Sequence, residues 1–283
     1  MTKLSTVRPP HQSVSTAETV IALDAALDPT RPNASRLYNY LLLGKDHRTP
    51  DRDLAESLKF RLPGLAYAAQ ACRYFALEAV EAAARSGCGL VVDLKCGYPL
   101  GETVHETALK ANPDAHVLYV DHDLVVAAHA RALLAGGPAV EVMRADVRHD
   151  LGSILEHPYI RARIDLAEPV AVVMTGLAEF LTDDELTTVL NTLADTLPPD
   201  SKLVLTHVDP GVLPKRAIQA ATAECAEAGI LVRFRPARKV RDLVSGRWSW
   251  DELPSDSIHH LFLDEATTFV GGVATLLPPG NDR

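Results

Sequence analysis

The hydrophobic pattern changes rhythm near residue 90. Before that point apolar residues recur at helical spacing, and beyond it short apolar runs alternate with helical stretches. Upstream, Arg36 to Leu43 (RLYNYLLL) is predicted as a helix stopped at Gly44, a second helix is predicted to begin near Pro50 or Asp51, and a third, rich in Ala, to span about 65–86. No strand pattern falls in 31–86, so these residues read as an N-terminal helical cap. Residues 1–30 are rich in Ser, Thr and Pro, with a short apolar patch at Val20 to Leu23, and read as a flexible N-terminal arm holding at most one helix.

From Leu90 onward the pattern predicts strands at 90–93, 117–121, 140–146, 170–174 and 203–209. Helical spacing covers 124–135, Thr182 and Glu185 form a capping box for the helix after the fourth strand, and a helix from about Pro214 to Ala228 ends at Gly229. The last 50 residues are less patterned: a short helix is expected over 238–243 and a final strand over 268–277, with an antiparallel direction open. Regular alternation predicts an α/β fold over 87–283, with a mostly parallel sheet covered by helices on both faces.

Composition narrows the function. The 283 residues are 47% hydrophobic and 23% charged, which fits a folded globular chain, and aromatics are only 5%. A net charge of -9 argues against nucleic acid as partner, because phosphate-backbone binding needs clustered positive charge. Cys72, Cys88, Cys96 and Cys225 have no zinc-site spacing and are expected as free thiols. No apolar run reaches membrane-spanning length and no secretion signal opens the chain, so a cytoplasmic location without membrane contact is expected. Homo-oligomer formation is left open.

The strand ends carry the chemistry. Leu90-Val91-Val92 ends in Asp93, followed by a turn with Gly97 and Gly101 and then the capping box Thr103 to Glu106. Asp121 ends the second strand and Asp146 the third, each one helix and one strand further on, so the three carboxylates are expected to rim one crevice. An acid after the second strand can accept both hydroxyls of a ribose. An acid after the third can accept an adenine amino hydrogen while the Val147 N–H meets a ring nitrogen. Strand-end Asp residues also serve as helix caps, but three in this order favour an adenosine ligand. The turn Lys95 to Leu100 lacks the glycines of a dinucleotide fingerprint, and no P-loop is present; a phosphate-free adenosine, S-adenosylmethionine, suits it better.

With RLYNYLLLGKDHRTPDR (36–52), LPGL (62–65), VVDLKCGYP (91–99), VHE (104–106), VLYVDHD (117–123), ARALLAG (130–136) and ADVR (145–148), the chain resembles the actinobacterial S-adenosylmethionine-dependent methyltransferase-like family long catalogued as a domain of unknown function. The likeness runs over about 31–245. It implies a Rossmann-like class I methyltransferase fold with a seven-stranded sheet and a helical cap over the cofactor pocket. The resemblance, together with the strand-end pattern, gives Tyr38, Lys45, Asp46, Arg73, Asp93, Lys95, Gly97, Asp121, His122, Asp146 and Val147 as cofactor-binding candidates. Family members usually carry Gly where this chain has Lys95, a His-Phe pair where it has Glu179-Phe180, and Asn-Arg where it has Cys72-Arg73. Lys95 is expected either to pair with the methionine carboxylate or to obstruct the site.

Glu179, after the fourth strand, is the candidate general base or substrate contact. The histidines show no metal-ligand spacing, so no metal is expected. Arg233, Arg235, Arg238, Lys239, Arg241 and Arg247 form a basic stretch read as solvated surface. Together these readings describe a methyltransferase acting on a small molecule. The alternatives are a cofactor-binding or cofactor-free relative that no longer methylates, in a regulatory, scaffold or non-methylating biosynthetic role, and a nicotinamide-dependent oxidoreductase, disfavoured by the turn.

Overall fold

The computed structural model describes residues 28–251 and 268–279. The helix admitted within residues 1–30 is not tested, since residues 1–27 lie outside the described residues. Three helices come first: α1 (Ala34–Leu41), α2 (Thr49–Arg61) and α3 (Leu65–Arg85). The alternating part then runs β1 (Leu90–Asp93), α4 (Val104–Ala111), β2 (His116–Asp121), α5 (Leu124–Leu133), β3 (Val140–Arg144), α6 (Val147–Leu155), α7 (Pro158–Asp165) and β4 (Val170–Met174). A 3-10 turn (Ala178–Phe180) leads into α8 (Asp183–Thr196), then β5 (Lys202–Asp209), α9 (Lys215–Glu227), α10 (Ala237–Val244), β6 (Trp248–Trp250) and β7 (Thr268–Leu276). The helices α6 and α7 and the strand β6 escaped the sequence pattern. The helix α7 begins at a proline after a two-residue break, and β6 is only three residues long.

The seven strands are ordered β3-β2-β1-β4-β5-β7-β6. Strands β1 to β5 are parallel, whereas β7 runs antiparallel to both β5 and β6. Chain order reverses between β1 and β4, and in open parallel sheets that switch point opens a crevice at the carboxyl ends of the strands.

Both faces of the sheet are buried, so its strands read as continuous apolar runs instead of alternating ones. Leu90, Val92, Leu118 and Val120 face α6, α8 and α10, while Val91, Val117, Tyr119 and Val173 face α3, α4 and α5. Each buried Val or Leu contributes about 1.5–3 kcal/mol. Helix α3 sets its middle and end, Phe75, Val80 and Ala83, on the sheet and its start, Leu65 to Ala69, against α1, α2 and α9. Helix α3, on the cap side of the boundary expected at residue 86, thus packs against both the cap helices and the sheet. All four cysteines are free thiols. Among the described residues no helix is long and apolar enough to cross a membrane.

Candidate active site

The cap is fixed by polar bonds that local sequence does not advertise. Asn33 caps α1, its Oδ1 accepting the Ser35 and Arg36 N–H groups at 2.9 and 3.0 Å. Its Nδ2 donates to Asp123 Oδ2 at 2.8 Å, which ties the start of α1 to the loop after β2. The buried Asp51 carboxylate accepts from the Asn33 N–H (2.8 Å), Arg36 Nε (2.7 Å) and the Arg48 N–H (2.8 Å), joining the starts of α1 and α2. At the far end of α1 the expected stop at Gly44 has a different origin. Leu43 takes the left-handed conformation (φ 63°), and a Cβ at Gly44 would lie 2.3 Å from the Asn39 amide. Glycine is required there by close approach.

The loops after β1, β2, β3 and β4 meet the start of α1 and the segment 229–233 around a groove of about 390 Å³. That volume lies within the range of small-molecule sites. Of the cofactor-binding candidates, Lys95, His122, Asp146 and Val147 line it, and Arg148, Phe180, Glu185 and Arg233 line it with them. Val147 opens α6, so its N–H has no intrahelical partner. Asp146 caps α6 and takes a forked bond from Arg148, with Nη2 at 2.6 Å. Burial works against its charge, but the Arg148 bonds prevail and hold the carboxyl below its usual range.

The three acids do stand on neighbouring strand ends, with Asp93 beside Tyr119 in register and Asp121 beside Arg144. Only Asp146 reaches the groove lining. Asp121 lies beneath it, with Oδ2 accepting the Gly97 N–H at 3.0 Å and Oδ1 the Asp123 N–H at 2.9 Å. Both oxygens thus hold loops, and His122 Nδ1 stands 3.5 Å from Oδ1. Gly97 adopts φ 65°, a conformation that favours glycine, and this turns its N–H toward Asp121.

Asp93, Arg73, Tyr38 and Lys95 share a smaller inner cavity of about 30 Å³ with Thr175, whose hydroxyl is buried without a partner. Burial raises the Asp93 carboxyl to about 7. Arg73 is committed to the backbone carbonyls of Leu100 and Glu102, which pins the turn before α4. The Lys95 ammonium stands 5.5 Å from the Tyr38 ring centre and 5.0 Å from that of Phe180. Lys95 lines both the groove and the inner cavity. Among the described residues no carboxylate lies within ion-pair distance of it. Lys45 and Asp46 are exposed and line none of these cavities; Asp46 donates its N–H to Asn39 within the turn after α1. The cap closes through Pro32, Asn33 and Ala34 instead.

A third cavity, about 70 Å³, is almost wholly apolar and lies between α1, α2, α3 and the segment 230–234. Glu179 lines it, buried, with Oε1 accepting the Val208 N–H at 2.8 Å and Oε2 without a partner. His207 Nε2 accepts the Arg235 N–H at 2.9 Å, which leaves the ring proton on Nδ1, 3.6 Å from Glu179 Oε1. Burial lowers the His207 pKa, so the ring is neutral.

Arg235 corrects the reading of the basic stretch as surface. It is buried, donating to Asp183 and to the carbonyls of Ala178 and Leu181, so it clamps the turn that carries Glu179. The segment 229–234 was missed, although it carries a signal. Ile230, Val232 and Phe234 line the apolar cavity while Leu231 and Arg233 line the groove, a period-two alternation along extended chain.

A family model described as S-adenosyl methyltransferase matches residues 21–247. The structure is similar to that of a Thermobifida fusca protein assigned as a methyltransferase, at 31% identity and a TM-score of 0.78, over 89% of this chain and 97% of the other. It is also similar to a DUF574 family protein of Streptomyces avermitilis, at 25% identity and a TM-score of 0.77, over 89% of this chain and 99% of that one. None of the curated proteins matches the chain.

Proposed function

The chain belongs to the S-adenosyl methyltransferase family, and from that premise we propose that its methyl acceptor is a small molecule bound beside the groove. S-adenosylmethionine is the cofactor of the family, and it supplies a methyl group carried on a positively charged sulfur. The residues of the groove fit it. Its volume suits a ligand of that size, the free Val147 N–H and the Asp146 carboxylate supply a donor and an acceptor to an adenine edge, and the unpaired Lys95 ammonium complements a carboxylate. Asp121 serves by holding the Gly97 and Asp123 turns in place beside the groove.

One observation carries the small-molecule reading. The groove adjoins the apolar cavity across Ala34, Phe180 and Ile230, which line both. A space of about 70 Å³ walled by cap helices admits a small organic group and no macromolecule. The chain contributes position and dryness. Holding two reactants in line can supply roughly 7–11 kcal/mol of barrier reduction, and no base is strictly required. The four free thiols support action in the reducing cytoplasm.

Calorimetry with S-adenosylmethionine tests the cofactor part, with micromolar binding expected; a folded protein that does not bind it overturns the reading. Tritium from methyl-labelled cofactor, added with a cell extract, is expected in the small-molecule fraction. Label confined to protein or nucleic acid overturns the choice of acceptor.

A further inference from the structure

We propose that the apolar cavity is the acceptor site, and that it takes a compact aliphatic molecule through a single N–H or O–H that donates to Glu179. This rests on the methyl-transfer reading for its chemistry and on the cavity alone for its ligand class. Glu179 is only 5% exposed, and its Oε2 has no partner. An unmatched buried acceptor is costly, more so when charged, so a ligand donor placed there is favoured. The remaining walls are side chains such as Leu37, Leu58, Val232 and Phe234, which offer a ligand body nothing but apolar contact. An anionic ligand would meet the carboxylate without a cation beside it in that cavity. The volume sets the size. Benzene fills an engineered cavity of about 150 Å³, and half of that accommodates a branched chain of a few carbons but no fused ring.

The same carboxylate completes the reaction. The acceptor's nitrogen or oxygen lone pair forms the new bond to the methyl carbon, and the carbon–sulfur bond breaks with its electron pair staying on sulfur. The N–H or O–H proton passes to Glu179 Oε2. A cation and a carboxylate become a neutral thioether and a neutral acid, so charge and atoms balance. Oε1 is held by the Val208 N–H, so Oε2 is the oxygen left for the ligand.

The test uses the full chain without cofactor. Saturation-transfer NMR titrations with isobutylamine, isobutanol and isobutyrate are run on wild type, Glu179→Gln and Ala69→Leu, which fills the cavity from α3. The amine or the alcohol is expected to bind, the tighter of the two identifying the donor, and isobutyrate at least tenfold more weakly. Glu179→Gln keeps an oxygen for Val208 and is expected to erase the preference over isobutyrate, and Ala69→Leu to abolish binding of all three. Equal binding of isobutyrate, unchanged selectivity in Glu179→Gln, or unchanged binding in Ala69→Leu overturns the proposal; should Glu179→Gln not fold, the wild-type selectivity and Ala69→Leu decide alone. Calorimetry with S-adenosylmethionine on the same samples separates the two readings. Fragments that bind where the cofactor does not leave the ligand pocket standing and remove methyl transfer. Cofactor binding without fragment binding removes the pocket alone.

Discussion

Two side chains at the β1 turn dominate the residue scale. The carboxyl of Asp93 is raised to about 7 by burial, well above its value in an unfolded chain. The folded state therefore holds its proton more tightly. Asp93 favours folding below its unfolded pKa near 4, and that contribution is lost as pH rises through about 7. Asp93→Asn is expected to flatten the pH dependence of urea unfolding between pH 4 and 8, with wild type losing up to about 4 kcal/mol across that window relative to the variant. Parallel slopes would refute the assignment. Lys95 poses the sharper question, since it lines both the groove and the inner cavity. Its ammonium rests between the rings of Tyr38 and Phe180, and the groove stays open beside it. Lys95→Met is expected to weaken S-adenosylmethionine binding about tenfold, roughly 1.4 kcal/mol, by calorimetry. A gain in affinity would instead mean that the ammonium obstructs the site.

The cap illustrates how elements are held in place. Its first two helices are short, at 8 and 13 residues, and isolated helices of this length are marginal in water, so their position depends on tertiary bonds. Asp51 gathers three donors from α1 and α2 with no exposure to solvent, and Asn33 reaches from α1 to Asp123. Removing the carboxylate leaves the buried Arg36 guanidinium without a counter-charge, holding only the Arg31 carbonyl. Asp51→Ala is expected to destabilise the fold by about 3 kcal/mol in urea melts, since breaking a buried pair costs roughly 3–5 kcal/mol. A loss under 1 kcal/mol would mean that the pair carries little of the cap. The motif 36–52 thus does two jobs. Arg36, Asn39, Gly44 and Asp51 shape the cap, and Tyr38 sets its ring against the Lys95 ammonium.

At the scale of the whole molecule, the groove is walled by the core on one side and by Pro32, Asn33 and Ala34 of the cap on the other. A ligand there bridges two bodies. Hydrogen exchange in α1 and α2 is expected to slow on adding S-adenosylmethionine, and at a hundredfold excess over Kd the stability should rise by about 2.7 kcal/mol. Exchange slowed only in the strand loops would show that the cap takes no part. The sequence by itself determined the parallel core, because strands buried on both faces must be apolar throughout and their turns must carry caps and glycine. It also determined that Asp93, Asp121 and Asp146 end adjacent strands, since each gap holds one helix and one strand. Which of them meets the groove was decided by folding alone. A carboxylate looks the same in sequence whether it binds a ligand or, like Asp121, a neighbouring turn. The apolar cavity over Glu179 was likewise invisible along the chain, because α1, α2, α3, the β4 turn and the 230–234 segment become its walls only when long-range packing brings them together.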